Sequence, residues 1–168
     1  FIPPTEEKTV RIQGDDASHI TRSLRMQVGD AIVLSDGQGF DYSGTLSSLG
    51  QGFVDVSILE KAENQTEPQV KITLYQALPK GDKLSFIVEK TVELGGVEIV
   101  PVLTSRCISR PNPKSMERKI QRYQKTAEEA AKQSDRGMIP RVAPLLSFSE
   151  ALEQAKAHDL SLLFYELE

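Results

Sequence analysis

Residues 69–103 read QVKITLYQALPKGDKLSFIVEKTVELGGVEIVPVL, and the fold follows from this stretch. Val70–Leu78 reads as a strand, closed by the turn residues Pro79-Lys80-Gly81-Asp82. Across Lys83–Leu94, the residues Leu84, Ile87, Val88, Thr91 and Val92 recur at helical spacing. Gly95-Gly96 ends that helix, because glycine takes up the left-handed C-cap without a Cβ clash. Val97–Leu103 is then a second strand, and Pro101 within it suggests an edge or a bend, since proline donates no ladder hydrogen bond. Strand, helix, strand in this order predicts parallel pairing, with ligands gathered at the carboxyl ends of the strands.

Downstream, a long helix is expected from about Ser115 to Arg136. Its buried stripe would be Met116, Ile120, Tyr123, Ala127, Ala130 and Ser134. Ser147-Phe-Ser-Glu150 has the form of a capping box opening a further helix. Leu160–Glu166 then reads as a terminal strand. Upstream the rhythm differs. Lys8–Ile12 is a strand, Asp15–Arg25 a short helix opened by aspartates, and Ala31–Ser35 a strand leading into the Asp36-Gly37 hairpin signal. Gly39–Ser43, Gly44–Leu49 and Gln51–Leu59 follow, so that four or five short strands predict a small β-barrel. The polar stretch Lys61–Pro68 is the best linker. The fold class is therefore α/β plus a small β-barrel, with domains at 1–68 and 69–168.

Composition narrows the function classes. The chain has 168 residues, 39% hydrophobic and 6% aromatic, and a formal net charge of −4. That balance argues against a binder whose whole length is basic. No apolar run reaches the roughly 18–20 residues of a membrane span. Cys107 is the single cysteine, so an internal disulfide and a CxxC zinc or redox pair are excluded. His19 and His158 are too far apart in sequence for a local metal pair, and no metal is expected. There is no GxGxxG, GxxxxGK[ST], GxSxG or HExxH. The opening Phe1-Ile2, with no charged leader before an apolar core, shows no sign of a signal peptide. A cytoplasmic, reducing setting is the expectation.

The charge is unevenly distributed. Residues 1–68 carry a net −6 and residues 69–168 a net +2, while 104–125 alone hold seven basic residues against Glu117, a net +6. A basic block in an acidic chain suggests a localised polyanion site, although a solvated helix face would have the same composition. On the first helix of the α/β half, Lys83, Phe86, Lys90 and Glu93 share a face distinct from the Leu84/Val88 stripe. A Lys90–Glu93 ion pair beside an incidental Phe would account for it equally well. On the long helix, Arg118, Arg122, Lys125, Glu129, Gln133 and Arg136 follow another face, reading as a phosphate track that ends in a polar pocket, or as cations answering the helix dipole. Thr104-Ser105-Arg106-Cys107 falls just after the second strand, where binding residues are expected. Cys107 itself reads as a buried inert thiol, and His19 as a packed or capping residue.

Several segments occur together in order: Ser18-His-Ile-Thr-Arg-Ser-Leu-Arg-Met26 with Gly29-Asp30, Leu78-Pro-Lys-Gly-Asp-Lys-Leu84, and Glu89-Lys-Thr-Val-Glu-Leu-Gly95. They are followed by Ser105-Arg106, then by Glu129-Ala-Ala-Lys-Gln-Ser-Asp-Arg136 and Pro140-Arg-Val142. This set resembles the ribosomal RNA small subunit methyltransferase E family over essentially the whole chain. The resemblance implies an N-terminal PUA-like barrel followed by a SPOUT methyltransferase domain with a C-terminal trefoil knot. It further implies a homodimer that uses S-adenosyl-L-methionine to methylate N3 of a uridine in 16S rRNA of the 30S subunit. The family's Gly-Pro-Glu-Gly-Gly and Leu-Gly-x-x-Ile-Leu-Arg motifs would follow Glu168, so cofactor-binding residues cannot be named on this chain. Little methyl transfer is expected from these residues alone.

Under that resemblance, Lys90 is the expected cation beside the uracil carbonyls, favouring the anionic base. Arg106, Gln133 and Arg136 would orient the target base or its phosphate, with Glu129 holding one of those cations. Arg118, Arg122 and Lys125 would track the RNA backbone, joined by Lys80, Lys83 and Arg110, and by Arg22 and Arg25 from the barrel. Phosphate contacts give affinity and salt dependence, whereas only a pocket chooses a base. Two rival readings stay open. One is a non-catalytic RNA-binding module. The other is a small-molecule α/β enzyme, which leaves the +6 block unexplained.

Overall fold

The computed structural model describes residues 1–164. It divides into two compact units: residues 1–68 with 135–139, and residues 69–134 with those from 140 onward. After Ser134 the chain contributes five residues to the first unit before returning at Pro140. A single cut after residue 68 does not describe this excursion.

The first unit is built on strands β1 (Thr9–Gln13), β2 (Ala31–Ser35), β3 (Phe40–Gly50) and β4 (Phe53–Glu63), in one antiparallel sheet of order β1-β4-β3-β2. The expected strands at 39–43 and 44–49 are one strand. Gly44 sits at a register shift within β3 instead of in a turn, because a bulge absorbs one residue without ending the pairing. β4 runs on to Glu63, so Lys61–Glu63 belong to the sheet and not to a linker. Helix α1 (Gly14–Ser18) continues into a π-helical turn, His19–Ser23. Ile12, Ala17, Ile20, Leu34, Tyr42, Leu46, Val54 and Val56 form the core. Asp36, also buried, closes the β2–β3 turn by accepting hydrogen bonds from the backbone N–H groups of Gln38 (2.8 Å) and Phe40 (3.1 Å).

The second unit holds β5 (Ile72–Ala77), α2 (Lys83–Glu93), β6 (Gly96–Leu103), α3 (Pro113–Gln133), β7 (Arg141–Val142), β8 (Leu146–Ser147) and α4 (Phe148–Ala155). β6 is central: it pairs in parallel with β5 on one side and with β7 and β8 on the other. Pro101 therefore stands in the middle strand, not at an edge. β7 pairs at Glu98 and Ile99 and β8 at Val102 and Leu103, which leaves position 101 in the gap between them. The Ile99 carbonyl accepts from Ala143 on that same side, two residues away, so the missing N–H of Pro101 faces the gap and breaks no ladder bond.

Leu84, Val88 and Val92 of α2 are buried, as are Met116, Tyr123, Ala127, Ala130 and Ala131 of α3. Gly95, at φ 91°, ends α2 in the left-handed conformation. α3 ends at Gln133, with Asp135 at φ 53° turning the chain away, so Arg136 does not continue the helix face. α4 opens with the full capping box of Ser147 and Glu150. Residues 160–164 are irregular and exposed, and the remainder of the expected terminal strand lies outside the described residues.

Candidate nucleic-acid interface

Beyond the carboxyl end of β6 the chain is held in a compact loop. The Cys107 thiol meets both the Thr104 N–H and the Thr104 hydroxyl at 3.3 Å, and Arg110 donates to the carbonyls of Thr104 (3.4 Å) and Ser105 (3.1 Å). Burial pushes the thiol pKa up, but the hydrogen bonds from Thr104 and the nearby Arg110 charge outweigh it, and the net shift is downward. Arg106 is exposed on the same loop. Asn112 then caps α3, its side chain accepting from the Ser115 N–H at 2.9 Å, with Pro113 at the first helical position.

The first turns of α3 present a groove of about 490 Å³ lined by Asn112, Lys114, Ser115, Arg118, Lys119 and Arg122. Four cations thus stand over the amino-terminal half of a helix whose dipole also favours negative charge there. Arg122 bonds Asp82 Oδ1 at 3.1 Å and sits over the Tyr123 ring at 5.2 Å. The Asp82 contact ties the β5–α2 turn, with exposed Lys80 and Lys83, to this part of α3. Among the described residues no aromatic ring lines the groove. Its four cations suit a row of phosphates.

Sequence reasoning brought Arg118, Arg122 and Lys125 to one exposed face, and the structure keeps them there, with Glu129 and Gln133 further along it. It missed Lys114 and Lys119. Both belonged to the seven basic residues counted in 104–125, but fell outside the single face traced from Arg118.

Lys90 lies in an ion-paired cluster on α2. Its ammonium lies 2.8 Å from Glu89 and 2.8 Å from Glu93, with the Phe86 ring at 5.6 Å. The hydrogen bonds to Glu89 and Glu93 raise its pKa, so it stays protonated, but two carboxylates surround one cation. Lys90 is thus ion-paired on α2 with Glu89 and Glu93, the arrangement that its spacing from Glu93 also allowed. Phe86 beside it is 61% exposed.

Arg136 lies elsewhere. It belongs to the first unit and is buried, donating from Nε to Glu67 Oε1 (2.9 Å) and from its terminal nitrogen to Glu67 Oε2 (2.7 Å). Arg136 leaves the helix face that its spacing extended: the chain turns at Asp135, and the guanidinium forms a two-bond fork with Glu67. Arg22 and Arg25 are exposed on the first unit.

Comparison with known proteins gives the geometry its setting. The family described as RNA methyltransferase domain matches residues 65–168, and the one described as RNA methyltransferase PUA domain matches residues 12–59. The Ribosomal RNA small subunit methyltransferase E of Bacillus subtilis is 33% identical over 161 residues, covering 96% of this chain and 63% of that protein. The protein of the same name from Synechocystis is 34% identical over 94% of this chain and 50% of its own length. The crystal structure of the Neisseria gonorrhoeae Ribosomal RNA small subunit methyltransferase E, bound to S-adenosyl methionine, superposes with a TM-score of 0.77 at 30% identity, covering 91% of this chain and 64% of that one. The chain thus spans between half and two thirds of the length of these relatives. With a PUA-type domain leading into an α/β methyltransferase domain, it belongs to the RNA methyltransferase domain family.

Proposed function

We propose that the chain forms the RNA-engaging part of an S-adenosylmethionine-dependent ribosomal RNA methyltransferase, one that transfers methyl to N3 of a uridine in 16S rRNA. The observation that carries this reading is the cationic groove on α3, found within a family of RNA methyltransferases. Lys114, Arg118, Lys119 and Arg122 neutralise consecutive phosphates, and Lys80, Lys83, Arg106, Arg110 and Lys125 extend the positive surface around them. Glu129 and Gln133 continue the face towards the helix end. The relatives' names support the small-subunit RNA target, and we propose a homodimer acting on the 30S subunit in the cytoplasm, as the family resemblance implies. No helix among the described residues is long and apolar enough to cross a membrane.

The donor supplies an electrophilic methyl group on a sulfonium. The α3 groove does not fit that group, because four cations repel a positive sulfur. The residues of that groove are therefore assigned to RNA and not to the methyl donor. The test is the affinity of the chain for a labelled hairpin of small-subunit rRNA, measured by fluorescence anisotropy across salt. Three or four neutralised phosphates, at roughly 0.7 each for single strands, give a log–log slope of about −2 to −3. In parallel, the native protein is supplied with methyl-labelled S-adenosylmethionine and 16S rRNA. A flat salt response, or label anywhere but a uridine N3, overturns the reading.

A further inference from the structure

Among the described residues, Arg122 is the one cation of the α3 groove that meets a carboxylate. Its Nη2 donates to Asp82 Oδ1 at 3.1 Å, whereas Lys114, Arg118 and Lys119 have no such partner there. The contact is a single bond from one nitrogen to one oxygen, unlike the two-bond fork that Arg136 makes with Glu67. The Arg122 and Asp82 side chains are 53% and 87% exposed, so water screens the pair and solvates either group once it is released.

Asp82 is also diverted from a local role. It stands at the N-cap of α2, where an aspartate ordinarily accepts from the N–H groups of the first turn of its own helix. Its carboxylate makes no such bond, and its backbone, at φ −95° and ψ 12°, lies outside the extended region that cap residues occupy. The first turn of α2 carries no acid to take its place. The carboxylate reaches instead to the neighbouring helix and sets an anion against a groove-lining guanidinium, where the RNA reading puts a phosphate.

We propose that Asp82 is a displaceable stand-in for phosphate, which reserves Arg122 for an RNA strand already held by Lys114, Arg118 and Lys119. The proposal rests on the RNA reading above and names how that same groove selects its ligand. A tethered carboxylate competes at an effective concentration on the order of millimolar, so scattered single anions rarely displace it. A strand anchored on the other three cations presents its next phosphate to Arg122 as a tethered group too, and competes on equal terms. Displacement releases Asp82 into water, in a turn that is exposed from Lys80 to Lys83. The groove thereby distinguishes a run of phosphates from an isolated one, where four open cations would accept either.

The test measures the binding of the 168-residue chain to the labelled small-subunit rRNA hairpin by fluorescence anisotropy. Asp82→Asn is expected to bind about threefold more tightly, within the roughly fivefold that an exposed ion pair can supply. The gain should shrink as salt rises, because the competing charge is screened. In an Arg122→Ala background the same substitution should leave affinity where it is, since the group it competes for is gone. Inorganic phosphate, followed at the Arg122 Nε–H resonance, should half-saturate at about threefold lower concentration in Asp82→Asn than in the unmodified chain. An equal gain with and without Arg122 makes Asp82 a general repulsive charge and overturns the proposal, as does no gain at all or an unchanged phosphate midpoint. A check that needs no variant is the Asp82 carboxyl carbon resonance of the unmodified chain, which should move as the hairpin is added; a stationary resonance also overturns the proposal. Failure of the unmodified chain to bind the hairpin instead removes the RNA reading on which the proposal rests.

Discussion

Arg136 and Glu67 join across 69 residues of sequence through two parallel N–H to carboxylate bonds, and the Arg136 side chain is only 4% exposed. Glu67 also accepts from the Met138 N–H at 3.0 Å, while the Thr66 hydroxyl donates to the Asp135 carbonyl at 2.6 Å. Gly137 completes the fit, because a Cβ there would collide with the Asn64 side chain. The pair fastens the 135–139 excursion to the first unit.

Removing one partner leaves a buried charge without its counterpart. Arg136→Ala and Glu67→Ala are each expected to destabilise by roughly 3–5 kcal/mol, read by urea unfolding. The double variant should cost less than the two single losses added together. A melting curve indistinguishable from that of the unmodified chain would refute the structural role.

The same pair predicts an acid limb. Burial pushes the Glu67 pKa up, but the hydrogen bond and charge of Arg136 and the backbone donors of Met138 and Gly137 outweigh it, so the net shift is downward. A depressed carboxylate contributes stability in full above the ordinary glutamate range, near 4.3, and loses it as pH falls through the folded value. Stability should therefore drop below about pH 4, and in Glu67→Gln that part of the dependence should vanish.

Asp55 offers a local check. The hydrogen bonds from Arg11 (2.7 Å) and Ser48 (2.8 Å) hold its carboxyl down to about 2. Carboxyl NMR titration should find that midpoint, and Arg11→Ala should move it up towards the usual aspartate range.

Charge reversal at Arg118 should weaken RNA binding similarly across unrelated sequences, because phosphate contacts carry no base information. Lys114→Ala and Lys119→Ala should each flatten the salt slope by about 0.7. Strong sequence dependence of either effect would argue for base reading at the groove.

Lys90→Ala should leave RNA affinity and thermal stability near their unmodified values, since the ammonium is already engaged by Glu89 and Glu93. Glu93→Gln, which frees part of that charge, should raise affinity. A large loss of RNA binding in Lys90→Ala would refute this, whereas a loss of methyl transfer at unchanged affinity is what the role implied by the resemblance predicts.

Local sequence rules were enough for most elements. Leu84, Val88 and Val92 repeat at helical spacing, Gly95 stops α2, and Ser147 with Glu150 starts α4, because each of these signals acts within one or two turns of chain. The split between a β-rich first unit and an α/β second unit was readable for the same reason. Gly44 misled because a glycine in a strand can mark a bulge as well as a turn, and the choice depends on pairing with β4, which is remote in sequence. Pro101 misled because its tolerance depends on the gap between β7 and β8, forty residues downstream.

The cationic block of 104–125 was visible in composition, and so was its phosphate chemistry. Which of its members share a groove was not, because helix spacing defines faces but not the neighbours that shape them into a recess. Arg136 marks the boundary between the two kinds of knowledge. Its spacing extends the α3 face, yet a left-handed residue at Asp135 redirects the backbone and Glu67 draws the guanidinium into the first unit. Periodicity carries information only while the helix lasts, and a buried ion pair between residues 67 and 136 is a long-range contact that no local pattern encodes.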